Sequence, residues 1–119
     1  MATVLLVDDS RTSRKILRQV LEDGGHEVIG EAKNGVEGVD LYKSLSPDIV
    51  TMDITMPELD GIGALQLIHK YDENAKVVMV TAAGQKNKIM DALKFGASEF
   101  LSKPYEPEQV LNIISNILK

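Results

Sequence analysis

Five short apolar runs alternate with five helix-like patterns, and this alternation restricts the possible fold more than any other feature of the chain. Continuous apolar runs cover residues 3–7, 48–52 and 76–81, and weaker strand-like runs cover residues 27–32 and 98–102. The helix-like patterns cover residues 11–24, 35–45, 61–71, 85–95 and 107–118. Alternating strands and helices form parallel sheets with right-handed crossovers, and continuously apolar runs are typical of strands buried on both faces. The sequence therefore predicts an α/β fold, a (βα)5 doubly wound parallel five-stranded sheet. We expect the strand order 2-1-3-4-5, although other doubly wound orders are compatible with the pattern.

Composition narrows the class of protein further. The chain has 119 residues, enough for one compact domain, which we expect to span residues 1–119. Its net charge of −5 offers no extended cationic face, so we expect no nucleic acid partner. Cysteine is absent, which excludes disulfides, cysteine-ligated zinc and a thiol nucleophile. The sequence shows neither a signal peptide nor an apolar stretch of membrane-spanning length, so it predicts a cytoplasmic protein without membrane contact.

Charged and hydroxyl residues end four of the five apolar runs. Asp8 and Asp9 follow the first run, Asp53 follows the third, Thr81 closes the fourth and Lys103 follows the fifth. Because the carboxyl ends of parallel strands meet at one edge of a sheet, we expect these side chains to lie together at the edge where such sheets bind ligands. Neighbouring carboxylates repel one another unless a cation joins them, and oxygen ligands suit Mg²⁺.

The acidic residues at this edge indicate phosphoryl chemistry. A carboxylate such as that of Asp53 can attack a phosphoryl group and form an aspartyl phosphate. Asp8, Asp9 and Asp53 could hold Mg²⁺ directly or through water, and the backbone carbonyl of Thr55 could complete the ligand set. The sequence therefore predicts a magnesium-dependent phosphoryl acceptor centred on Asp53.

Two further residues could neutralise the phosphoryl oxygens. Lys103 provides a compact positive charge for one oxygen. The Thr81 hydroxyl and the backbone N–H after it could bind another, and the small residues Ala82 and Ala83 leave that approach open. Phosphoryl transfer depends mainly on such positioning and charge neutralisation.

Five short motifs together identify a family. They are Val7-Asp8-Asp9-Ser10, Met52-Asp53-Ile54-Thr55-Met56-Pro57, Asp60-Gly61, Thr81-Ala82 and Lys103-Pro104-Tyr105. Each motif alone is common, but their order and their positions at the ends of predicted strands are specific. Over its whole length the chain resembles the receiver domain of bacterial two-component response regulators, which has a flavodoxin-like fold.

The resemblance implies a role for each matched residue. These roles are phosphoacceptor for Asp53, metal binding for Asp8 and Asp9, phosphate sensing for Thr81 and Lys103, and switching for Thr81 with Tyr105. It also implies a cis peptide between Lys103 and Pro104. A member of this family catalyses only its own phosphorylation and dephosphorylation, so the resemblance implies no turnover of an external substrate.

The resemblance also implies partners. The phosphoryl donor would be a histidine kinase, and the phosphorylated chain would bind a downstream protein. The segment 52–58 looks most like chemotaxis receivers that bind the flagellar motor switch. A phosphorelay intermediate, or a receiver fragment excised from a larger regulator, is the alternative. We expect a monomer.

Two unrelated classes are less compatible with the sequence. A magnesium-dependent aspartyl phosphatase typically carries a second acid two residues after its nucleophile, where this chain has Thr55. A flavin-binding protein needs a phosphate cradle after the first strand, where Asp8 and Asp9 would repel phosphate.

Other polar residues are expected to lie outside the site. We interpret His26 and His69 as surface residues without a catalytic role. A basic group in the first helix is either a solvated face or the surface that docks the kinase; it consists of Arg11, Arg14, Lys15 and Arg18.

Overall fold

The computed structural model describes residues 1–82 and 85–119, and strands alternate with helices throughout them. The strands are β1 (Thr3–Val7), β2 (Glu27–Ala32), β3 (Ile49–Asp53), β4 (Val77–Thr81) and β5 (Glu99–Ser102). The helices are α1 (Arg11–Asp23), α2 (Gly35–Leu45), α3 (Gly61–Tyr71), α4 (Lys86–Lys94) and α5 (Pro107–Leu118). Each predicted element is present, and its ends differ from the prediction by at most one residue.

The strands form one parallel sheet in the order β2-β1-β3-β4-β5, as predicted. β1 and β3 are neighbours, and Val7 is in register with Met52. β3 and β4 are also neighbours, and Asp53 is in register with Val80. These registers bring the carboxyl ends of β1, β3 and β4 to the same edge of the sheet.

Helices cover both faces of the sheet, and the central strands β1, β3 and β4 bury both of their faces. On β1, Leu5 and Val7 belong to one core, whereas Val4 and Leu6 belong to the other. The first core receives buried side chains from α2, α3 and α4, namely Val39, Tyr42, Ala64, Leu65, Ile68 and Ala92. The second receives side chains from α1 and α5, namely Leu17, Leu21, Val110 and Ile114. Burying each large side chain stabilises the fold by about 1.5–3 kcal/mol, which explains why the strands are apolar at successive positions.

The start of α3 fixes the carboxyl end of β3. The Asp60 side chain caps α3 by accepting a hydrogen bond from the Gly63 backbone N–H at 2.8 Å. The Gly61 N–H donates to the Ile54 carbonyl at 2.7 Å. A Cβ on Gly61 would lie 2.0 Å from the Asp53 carbonyl oxygen, so only glycine permits this close approach.

The two histidines are less exposed than predicted. The Nδ1 atom of His26 accepts a hydrogen bond from the Ala2 backbone N–H at 3.0 Å. The Nε2 atom of His69 is buried and has no hydrogen-bond partner within the described residues. The His69 ring packs against Gly96, whose missing side chain leaves room for it. Both histidines are therefore only partly exposed at the surface, and their lack of a catalytic role stays a prediction.

Other sequence features match the structure closely. The Lys103–Pro104 peptide is cis, as the family resemblance implied. Pro107 lies in the first turn of α5, where its missing N–H costs no helical hydrogen bond. In the part of the chain that the structure describes, no helix has both the length and the apolar character needed to cross a bilayer.

Candidate functional site

Three carboxylates converge at the carboxyl edge of the sheet. Asp8 and Asp9 follow β1 directly, and Asp53 is the last residue of the adjacent strand β3. One carboxylate oxygen from each residue lies within 4.8 Å of the others. Asp9 is exposed, whereas Asp8 and Asp53 are partly buried. The predicted acidic cluster is therefore present as a group of oxygen atoms spaced for a shared cation.

Asp8 is held in place by its neighbours. One of its carboxylate oxygens accepts a hydrogen bond from the Ser10 backbone N–H at 2.8 Å. The other lies 3.5 Å from the Lys103 ammonium nitrogen. The Asp8 carbonyl accepts a hydrogen bond from the Arg14 guanidinium at 2.6 Å. These contacts fix the loop after β1.

Burial raises the pKa of the Asp53 carboxyl to about 6 from its usual value near 3.8. The charge of Lys103 lowers this pKa, whereas the charges of Asp8 and Asp9 raise it further. The nearby Ile54 backbone N–H also lowers it. The raised pKa means that the ionised Asp53 lacks the solvation and positive charge that would fully stabilise it.

The acidic cluster fits a hard divalent cation. Its ligand atoms are carboxylate oxygens, which Mg²⁺ prefers over nitrogen or sulfur. A cation would also relieve the repulsion that contributes to the raised pKa of Asp53. Thr55, which was predicted to offer a backbone carbonyl, lies two positions after Asp53 and is exposed in the loop before α3.

Thr81 and Lys103 come together through adjacent strands. Thr81 ends β4 and is 1% exposed, and its hydroxyl lies 3.3 Å from that of Ser102 on β5. The Lys103 backbone N–H donates to the Thr81 carbonyl at 2.8 Å. The Lys103 ammonium donates to the Ser13 hydroxyl at 3.4 Å, in addition to its ion pair with Asp8. The structure thus brings the predicted lysine to the acidic cluster.

Tyr105 is partly buried near the same edge. Its ring packs against the second core. Burial, and to a lesser extent the charge of Asp8, raises the pKa of its hydroxyl. Together with Ser13, Ile16 and Lys103, it lines a mostly apolar cavity of about 230 Å³. Tyr105 therefore lies at a boundary between the site and a surface cavity.

Sequence reasoning missed Gln85. Its side-chain amide donates a hydrogen bond to the Thr55 hydroxyl at 2.6 Å and accepts one from the Ala82 backbone N–H at 2.8 Å. This N–H follows Thr81 in the chain, and it was predicted to bind a phosphoryl oxygen. Gln85 precedes α4 with no distinctive pattern around it, so only its position four residues after Thr81 could have drawn attention. Ala83, which was expected to leave the site open, lies outside the described residues.

The basic group on α1 is divided between structural and exposed residues. Arg14 donates to the Glu31 carboxylate at 3.0 Å, and Arg18 pairs with the same carboxylate. Arg11 and Lys15 are exposed. The group therefore ties α1 to β2 and leaves part of its charge open to solvent.

Comparisons with known proteins match this geometry. The response regulator receiver domain family matches residues 4–115. The chain is 47% identical to the chemotaxis protein CheY of Thermotoga maritima, over 98% of this chain and 97% of that protein. It is 44% identical to CheY of Bacillus subtilis, over 97% of this chain and 96% of that protein.

A solved structure extends the similarity to three dimensions. The fold matches a chain in the crystal structure of a CheX-CheY-BeF3-Mg complex from Borrelia burgdorferi with a TM-score of 0.93 and 39% identity. The match covers 98% of this chain and 89% of that one. By its sequence, its strand order and these relatives, the chain belongs to the response regulator receiver domain family and is a CheY-like response regulator.

Proposed function

We propose that Asp53 accepts a phosphoryl group from a histidine kinase in a reaction that requires Mg²⁺. The observation that carries this proposal is the cluster of Asp8, Asp9 and Asp53 oxygens within 4.8 Å, with the Lys103 ammonium beside it. An Asp53 oxygen forms a bond to phosphorus while the bond between phosphorus and the donor histidine nitrogen breaks. The electron pair of the broken bond stays with the imidazole.

The residues around Asp53 would bind the metal and the phosphoryl oxygens. Asp8, Asp9, Asp53 and the Thr55 carbonyl would hold Mg²⁺, which would supply positive charge to the phosphoryl oxygens. Lys103 would release part of its interaction with Asp8 and contact a phosphoryl oxygen. The Thr81 hydroxyl would exchange its contact with Ser102 for a stronger, charge-assisted hydrogen bond to another oxygen.

Phosphorylation would then act as a switch through Thr81 and Tyr105. A Thr81 side chain drawn toward the phosphoryl group would give up its contact with Ser102, and the partly buried Tyr105, in the loop after β5, would move in response. The phosphoryl group would thereby favour one of two arrangements by its different contacts in each. Tyr105 lies between β5 and α5 in the chain, so the surface formed by α4, β5 and α5 would change its shape.

This α4-β5-α5 surface is suited to binding a protein. Met90, Leu93 and Phe100 are 70%, 42% and 37% exposed on it. A cavity of about 440 Å³ lies between β5 and α5, lined in part by Phe100 and Ile113. We propose that it binds a segment of the flagellar motor switch, because exposed apolar side chains around a cavity are typical of protein interfaces.

Phosphorylation is tested by intact mass. The protein is incubated with Mg²⁺ and acetyl phosphate, beside Asp53→Asn and a control, Asp40→Asn, whose carboxylate is exposed on α2. We expect one phosphoryl adduct on the wild type and on Asp40→Asn. We expect none on Asp53→Asn, and none on any protein when Mg²⁺ is chelated before the phosphoryl donor is added. An adduct that persists in Asp53→Asn would contradict the assignment of the phosphoacceptor.

The partner is tested separately. A labelled motor-switch peptide should bind the beryllofluoride-treated protein more tightly than the untreated protein. Equal binding in both states, together with phosphoryl transfer to a histidine-containing phosphotransferase, would instead support the phosphorelay alternative.

A further inference from the structure

The side chain of Gln85 joins two loops across the site. Its Nε2 donates to the Thr55 hydroxyl at 2.6 Å, and its Oε1 accepts from the Ala82 backbone N–H at 2.8 Å. Thr55 lies in the loop after β3, whereas Ala82 follows β4. Gln85 is the N-cap residue of α4, yet its side chain makes no capping hydrogen bond to that helix. The polar atoms of the Gln85 side chain therefore bond to the two loops and not to the helix.

The Gln85 side chain occupies the Ala82 N–H, a hydrogen-bond donor that the phosphoryl group would need. The Ala82 N–H follows directly on Thr81 and is fixed by the backbone, so it can make one well-aligned hydrogen bond at a time. A phosphoryl oxygen is charged and accepts a stronger hydrogen bond than a neutral amide oxygen. The phosphoryl group would therefore have to displace Gln85 from Ala82.

We propose that Gln85 is an autoinhibitory residue that competes with the phosphoryl group for the Ala82 N–H. This inference rests on the proposed phosphorylation of Asp53. In the unphosphorylated protein the Gln85 amide holds the loops after β3 and β4 together. Each phosphorylation event must break its hydrogen bond to Thr55 and replace its hydrogen bond from Ala82, so Gln85 lowers the affinity of the site for a phosphoryl group.

The link to α4 gives the bridge a second consequence. The Gln85 carbonyl accepts hydrogen bonds from the Lys88 and Ile89 N–H groups at 3.0 and 3.2 Å, so the same residue begins α4. Release of its side chain would loosen the attachment of this helix start to the loop after β3. Phosphoryl binding would thus be communicated to α4 by the loss of the hydrogen bond between Gln85 and Thr55.

The test compares Gln85→Met with the wild type. Methionine has a similar length but makes neither hydrogen bond. Gln66→Met, at an exposed position of α3, is the matched control. The ¹⁵N-labelled proteins are titrated with beryllofluoride, a phosphoryl mimic, at saturating Mg²⁺. NMR spectra report the affinity for beryllofluoride. Hydrogen exchange of the Ala82 amide, measured without beryllofluoride, reports the hydrogen bond from Ala82 to Gln85. Thr55→Val, which removes only one hydrogen bond, serves as a second variant if Gln85→Met unfolds.

We expect Gln85→Met to bind beryllofluoride about fivefold more tightly than the wild type, as the loss of one competing hydrogen bond implies. The Ala82 amide should also exchange faster in this variant, and Gln66→Met should match the wild type in both measurements. Equal affinities in the wild type and Gln85→Met would overturn the autoinhibitory role and leave the proposed phosphorylation intact. Absence of beryllofluoride binding in every protein would overturn the phosphorylation proposal and this inference together.

Discussion

The Lys103 ammonium nitrogen lies 3.5 Å from an Asp8 carboxylate oxygen, joining the residue after β5 to the residue after β1. These strands are not neighbours in the sheet, since β3 and β4 lie between them. The lysine side chain therefore spans the carboxyl edge and brings its positive charge to the acidic cluster. Its charge also lowers the pKa of Asp53, although burial of that carboxyl outweighs the effect.

Replacing Lys103 should impair phosphorylation more than folding. In Lys103→Met we expect the rate of adduct formation with acetyl phosphate to fall about 100-fold, because a preorganised charge near the phosphoryl oxygens is lost. Time-resolved intact mass measures this rate. Lys76→Met is the control, since Lys76 is exposed and precedes β4 at the opposite edge of the sheet. Similar rates in the two variants would rule out a role for the Lys103 charge.

Asp53 should make stability depend on pH. Its pKa is about 6 in the folded chain and near 3.8 when unfolded, so the folded state binds more protons between these values. The protonated Asp53 carboxyl therefore contributes to the free energy of unfolding of the wild type at low pH, and this contribution is lost as pH rises from about 4 to 6. In Asp53→Asn the contribution is absent, and we expect the variant to be more stable by about 1–3 kcal/mol above pH 7.

Urea unfolding without divalent cations measures this difference. The advantage of Asp53→Asn should shrink as pH falls toward 4, where the Asp53 carboxyl is protonated in both states. Comparing the two proteins at each pH removes the contribution of groups that do not interact with Asp53. A difference in stability that stays constant from pH 4 to 8 would show that Asp53 is not desolvated as described.

Mg²⁺ should stabilise the protein through the acidic cluster. At a concentration tenfold above its dissociation constant, we expect the unfolding temperature to rise by about 5 °C. Asp9→Asn should abolish most of this rise, because Asp9 is one of the clustered carboxylates and its exposed position makes the substitution mild. Thermal unfolding by circular dichroism measures the effect, with Asp40→Asn as the control. An unchanged response in Asp9→Asn would remove Asp9 from the ligand set.

Gly61→Ala should disturb both the fold and the site. The added Cβ would lie 2.0 Å from the Asp53 carbonyl oxygen, so the backbone must shift at a cost of about 1–3 kcal/mol. Gly63→Ala is a matched control in the same helix, because its Cβ would meet the flexible Leu59 side chain at 2.7 Å. Chemical denaturation should show a larger loss of stability in Gly61→Ala. Equal losses would indicate that the close approach to Asp53 is not rigid.

The sequence was sufficient for the fold class because periodicity carries the necessary information, whereas the strand order was one of several that the pattern allows. Apolar runs and helical patterns alternate, parallel strands require crossovers, and crossovers are right-handed. Asp8, Asp9, Asp53, Thr81 and Lys103 could be assigned to one edge because each follows or closes a predicted strand. Their convergence follows from strand direction alone, which needs no knowledge of side-chain packing.

Other features depended on contacts between segments that no local pattern connects. Gln85 looks like an ordinary polar residue before a helix, and its hydrogen bonds to Thr55 and Ala82 arise only when the loops after β3 and β4 meet. His69 looked exposed on its helix, but Gly96 lets its ring pack into the protein.

The sequence by itself determined the (βα)5 alternation of strands and helices and the set of acidic, hydroxyl and basic residues at the carboxyl edge. The tertiary structure alone decided how strongly Asp53 is desolvated, which atoms Lys103 reaches and which side chain occupies the Ala82 N–H. The physical reason is that strand and helix patterns are encoded in local periodicity, whereas pKa values and hydrogen-bond partners depend on burial and on atoms brought together from distant parts of the chain.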